Sequence, residues 1–162
     1  MRRIAAVLSL SIVTSVALSG CIFVRPTATE PDTVPTNGSF QRCEGVDFTV
    51  TGTGYYTLQG DCGVVTVTGT DITIKADSVE AFEIVGDRVY IESDDIGRLQ
   101  IDGNDNSIEA DEVGGLIITG DRDVLDADSV FGVTIDGNDN VVNADVTGEV
   151  VDAGDRNLVG SR

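Results

Sequence analysis

The sequence has no histidine, ten lysines and arginines against twenty-eight aspartates and glutamates, three cysteines and three prolines among 162 residues. Each shortage excludes something. Without histidine no serine has an obvious general base, and a pair of thiolates gains no imidazole to complete a zinc site. A formal net charge of −18 makes a surface that repels phosphate backbones and anionic lipid headgroups, so nucleic-acid binding is excluded. The prolines are confined to residues 26–35, in IFVRPTATEPDTVPTNGS (22–39), a composition that cannot bury a core and reads as an extended tether.

What precedes that tether is a targeting signal. Met1-Arg2-Arg3 is a short basic start, and Ile4 to Ala17 is an apolar run interrupted only by Ser and Thr, too short for a comfortable membrane span. Leu18-Ser19-Gly20-Cys21 resembles the bacterial lipobox, in which the cysteine is acylated and becomes the first residue of the mature chain. Several acyl chains on Cys21 anchor stably, each buried methylene adding about 0.8 kcal/mol. The expected organisation is a signal peptide (1–20), a lipidated tether (21–39) and one folded domain (40–162). Removing residues 1–20 takes away two arginines and no acid, which moves the net charge from −18 to −20.

With Cys21 lipidated, Cys43 and Cys62 remain for one disulfide in an exported, oxidising setting. Closing a loop of about twenty residues contributes roughly 3 kcal/mol in the chain-entropy account.

The folded domain is periodic. Glycines stand at 69, 86, 103, 120, 137 and 154, every interval being seventeen residues. Counting each glycine as position one, position six is always aliphatic (Ile74, Ile91, Ile108, Leu125, Val142, Val159) and position eight always small. Positions fourteen and sixteen carry Phe82/Ile84, Leu99/Ile101, Leu116/Ile118, Val133/Ile135 and then Val150/Asp152. Position eleven (Val79, Ile96, Val113, Val130, then Thr147) is a third inward point. Polar and apolar residues alternate around these points with strand periodicity. Such a unit cannot bury its apolar face alone but can do so by stacking. The expected fold is therefore all-β, a β-solenoid of about seven coils. Tyr55 and Tyr56 are expected to cover its open start, and Asp152 and Thr147 to loosen its end.

Three files of polar residues follow from the stacking. Position three alternates Asp71, Arg88, Asp105, Arg122, Asp139, Arg156, an ion-pair ladder in which each arginine should lie between two carboxylates. Position four (Asn106, Asp123, Asn140, Asn157) should stack amides from rung to rung. Position nine is Asp77, Asp94, Asp111, Asp128, Asp145. Here the expectation is that each carboxylate caps backbone N–H groups in its own corner, with calcium between rungs as the sharper alternative. Asp102-Gly103-Asn104-Asp105-Asn106 begins like an EF-hand loop, but Ser107 and Val113 stand where that loop needs glycine and glutamate.

No other cofactor is implied. A carboxylate-only enzyme acting on polysaccharide, using Asp94, Asp95 and Asp128, is the competing class, and a calcium-associated adhesion module is a further one. The lipobox cysteine, Gly-Asp-Cys-Gly around Cys62 and the recurring Gly-x-x-Asn before an aliphatic pair resemble small secreted lipoproteins of actinobacteria, grouped as domain of unknown function 3060. The resemblance implies an exported, lipid-anchored β-solenoid with a disulfide near its start and supplies no activity. The sequence thus points to a membrane partner through the N-terminal lipid, an envelope glycan or protein as ligand, and a non-catalytic role outside the cytoplasm.

Overall fold

The computed structural model describes residues 37, 38 and 40–161, so the expected signal peptide, Cys21 and almost all of the expected tether lie outside the described residues. Those residues form strands and turns and no helix. The strands are β1 (Phe40–Arg42), β2 (Phe48–Val50), β3 (Gly54–Val67), β4 (Ile72–Ile84), β5 (Tyr90–Ile101), β6 (Ser107–Val113), β7 (Leu116–Ile118), β8 (Val124–Val130), β9 (Val133–Ile135), β10 (Val141–Val146), β11 (Val150–Asp152) and β12 (Leu158–Gly160). All pairings are parallel.

The register is the sequence repeat made physical. Thr73 pairs with Tyr90, Tyr90 with Ser107 and Ser107 with Val124, each seventeen residues on. The chain is a β-solenoid of about seven turns, the long strands stacking in the order β1-β3-β4-β5-β6-β8-β10-β12 and the short ones as β5-β7-β9-β11. One early strand is locally offset: Gly54 to Leu58 pair eighteen residues on, as in Gly54 with Ile72, and a bulge between Leu58 and Asp61 restores the seventeen-residue register at Cys62 and Val79.

The inward points are buried as the periodicity requires. Ile74, Ile91, Ile108, Leu125 and Val142 are fully enclosed, as are Ile84, Ile101, Ile118 and Ile135, with Val79, Ile96, Val113 and Val130 behind them. Phe48 and Val50 pair with Val65 and Val67, extending the same columns to the start of the stack. Cys43 and Cys62 are joined, Cα atoms 4.6 Å apart, tying the first coil to the second. Cys62 is in register with Val79, so the cystine takes the place of the aliphatic pair at position eleven.

Two expectations at the ends need correction or sharpening. Tyr55 and Tyr56 do not both cover the start: Tyr56 is a buried core residue in register with Ile74, while Tyr55 faces solvent at 45% exposure. The bulge puts Tyr56 on the inward parity. At the far end the stack does loosen, for β11 is exposed throughout and Leu158 is 60% exposed.

Candidate functional site

The repeated Gly-x-x-Asn segment builds a corner in which four consecutive positions have separate tasks. The glycine permits contact rather than a special dihedral angle. A Cβ on Gly103 would collide with the carbonyl oxygen of Gly86, and the same holds from rung to rung at Gly120, Gly137 and Gly154. The chain reversal falls two residues later. Asp71, Arg88, Asp105, Arg122, Asp139 and Arg156 all have positive φ, between 53° and 60°. The turn conformation that usually selects glycine is thus carried by the charged file, at a strain of about 1–2 kcal/mol per residue. The recurring glycines do not themselves carry that turn.

The other two corner positions bond backbone in opposite directions. At position two, which sequence reasoning passed over, Asp87 accepts from the Asn104 N–H at 2.8 Å, Asn104 from Asp121 at 3.1 Å, Asp121 from Asn138 at 2.7 Å and Asn138 from Asp155 at 3.0 Å. Each side chain there serves the rung after it. At position four each serves the rung before: Asn106 accepts from Val89, Asp123 from Asn106, Asn140 from Asp123 and Asn157 from Asn140, all at 2.8–2.9 Å. Asn106, Asp123 and Asn140 are buried, so the stacked-amide expectation holds. The signal for position two was available, since Asp87, Asn104, Asp121, Asn138 and Asp155 also alternate.

The charge ladder is a set of pairs rather than a continuous chain. Arg88, Arg122 and Arg156 each reach back one rung to Asp71, Asp105 and Asp139, with Nε–Oδ1 distances of 2.8, 2.7 and 2.5 Å and a second bond from Nη2. The arginines are not shared evenly between two carboxylates, because the fork geometry is satisfied by one. These bonds hold Asp71, Asp105 and Asp139 below the usual carboxylate range. Two further ion pairs, Lys75–Glu92 at 2.7 Å and Arg98–Glu83 at 3.5 Å, lie on the outer faces.

The position-nine file behaves differently from expectation. All five aspartates are exposed. Among the described residues only Asp77 takes a backbone bond, from the Gly60 N–H on the preceding rung at 2.9 Å and not in its own corner. The others stand in a row, and among the described residues no three His, Cys, Asp or Glu side chains converge to hold a metal ion. A straight file at one carboxylate per rung, about 4.8 Å apart, spreads its oxygens instead of gathering six to eight of them.

That file has a neighbour. Glu92, Glu109 and Asp126 at position seven point to the same side of the strand as Asp94, Asp111 and Asp128, with small Ser93 and Ala110 between. Together they line a shallow groove of about 270 Å³ along the stack. Asp95 lines a separate depression with Asp61 and Glu112, so the three candidate catalytic aspartates do not share one site. A second column of close approach, also absent from the sequence reading, is Gly97, Gly114 and Gly148 at position twelve, where a Cβ would strike the carbonyl one rung back. No family model, no curated protein and no solved structure matches this chain.

Proposed function

We propose that the protein is a lipid-anchored β-solenoid of the cell envelope with a non-catalytic binding or structural role. The observation that carries this reading is the acidic groove: six carboxylates at rung spacing on one face of a stack whose corners are pinned by side-chain-to-backbone bonds. A preformed array engages an extended partner at many weak points without first being ordered, which suits an envelope glycan rich in hydroxyls or a basic protein segment. Acylation of Cys21 and the Pro/Thr-rich tether would hold that face clear of the bilayer.

The test is capture from the native envelope by the full chain and by a variant carrying Asp94→Asn, Asp111→Asn and Asp128→Asn. A partner enriched by the parent and lost by the variant is the expected result. Equal recovery removes the groove from the reading, and turnover of any member of a glycan panel replaces it with the enzyme class. Cys21→Ser should move the protein from the membrane to the soluble fraction; retention on the membrane would sink the anchor.

A further inference from the structure

Position four holds asparagine at 106, 140 and 157 and aspartate at 123. In each of the four, Oδ1 accepts a backbone N–H from the preceding rung. The second terminal atom is bonded in two of them, while buried Asn106 Nδ2 has no hydrogen-bond partner among the described residues. Asn140 Nδ2 donates to the Gly120 carbonyl at 3.0 Å and Asn157 Nδ2 to the Gly137 carbonyl at 2.9 Å, each twenty residues back.

Asp123 puts an oxygen where those amides put a donor. Its Oδ2 stands 2.8 Å from the point a Cβ on Gly120 would occupy, as Asn157 Nδ2 stands 2.8 Å from the matching point on Gly154. The carbonyl twenty residues back is that of Gly103, whose oxygen crowds the same point beside Gly120. Asp123 is fully buried and its Oδ2 has no hydrogen-bond partner among the described residues. An ionised carboxylate would set one buried acceptor against another, a desolvated charge offset only by the Asn106 N–H on Oδ1 and the Asn106 side chain.

We propose that Asp123 is held as a neutral carboxylic acid in the folded protein, its O–H donating to the Gly103 carbonyl, and that loss of this proton loosens the corner between the Asn106 and Asn140 rungs. The surroundings act in the same direction. Burial pushes the Asp123 carboxyl up to about 7, against the Asn106 N–H and side chain, and nearby Asp105 and Asp121 add to the rise. Of the charges acting on it, Asp105 is engaged by Arg122 and Asp121 accepts the Asn138 N–H. Asn106 and Asn140 flank it, and no other charged side chain is buried among the described residues.

A raised pKa means that the folded state keeps a proton the unfolded state has released. The stabilisation is complete below the unfolded value near 3.8 and is lost as pH rises toward about 7. Urea unfolding of the full-length chain should show the folding equilibrium constant dropping about tenfold per pH unit between about pH 5 and 7. Asp123→Asn restores the amide donor and should be flat over that window. Parallel profiles for the two proteins would overturn the proposal. Carboxyl carbon NMR on the unmodified chain gives a reading that does not depend on the variant folding. An Asp123 midpoint near 7 supports the neutral acid, and a midpoint below about 5 refutes it.

Discussion

Two residues apart in the corner, glycine and arginine exchange their customary roles, and substitution should show it. Gly103→Ala drives a Cβ into the Gly86 carbonyl, backbone against backbone with no side chain to move aside. We expect a loss of several kcal/mol, in the upper range for single changes. Arg122→Gly removes an exposed ion pair but also relieves a non-glycine residue at φ 60°, so its unfolding free energy should stay within about 1 kcal/mol of the parent. Urea midpoints of the two variants check both. The carboxylates set a pH window from the other side. Asp71, Asp105 and Asp139 have lowered values from their arginine partners, so the stability they add is present above the ordinary carboxylate range and lost as pH falls through it. With Asp123 acting in the opposite sense, unfolding midpoints scanned over pH should peak near the ordinary carboxylate value of about 4, fall below it as the arginine-paired aspartates protonate, and fall above it until about pH 7 as Asp123 ionises. The charged file was legible in the sequence because alternation survives in one dimension. Its φ values were not, since arginine gives no sign of a left-handed turn and aspartate only a weak one.

The later coils are each a longer strand and a short one, whereas β3, β4 and β5 are single long strands, and each coil's stability comes from its stacked neighbours. Ile108 on β6 is fully enclosed by the rungs on either side, whereas Val150 on β11 is 45% exposed. Ile108→Ala should cost about 2–5 kcal/mol, and Val150→Ala under about 1, by the same chemical denaturation. At the other end the cystine staples the coil holding β1 and β2 to β3. Replacing Cys43 and Cys62 with serine should lower stability by about 3 kcal/mol and leave the far-UV spectrum of the later coils intact. The cystine pairing could be read from cysteine number and compartment. Its place at position eleven could be read as well, because Cys62 stands seventeen residues before Val79 and the bulge in β3 ends before it. The same bulge hid Tyr56 in the core.

On the scale of the molecule, the stack is quasi-one-dimensional, each rung touching only its neighbours. Backbone amide exchange should be slowest in β4, β5 and β6 and fastest in β11 and β12, each of which pairs on one side only among the described residues. Uniform protection along the chain would contradict this gradient. The formal charge of −18 makes self-repulsion a general term, so moderate salt should raise the thermal midpoint through screening. A chelator should leave that midpoint where it was, because the position-nine carboxylates stand in a row and do not close on a point.

The sequence by itself determined the solenoid, its pitch in residues, its inward columns and the pairing of unlike charges, because a stacked fold writes each contact as a fixed spacing along the chain. Tertiary structure decided which atoms those spacings bring together. Only the stacked corner shows that the glycines yield to a carbonyl one rung back and that position two serves the rung above while position four serves the rung below. Only there does Asp123 stand in a donor's place. The physical reason is that periodicity fixes direction and parity, while contact at hydrogen-bond range depends on how closely one rung settles on the next.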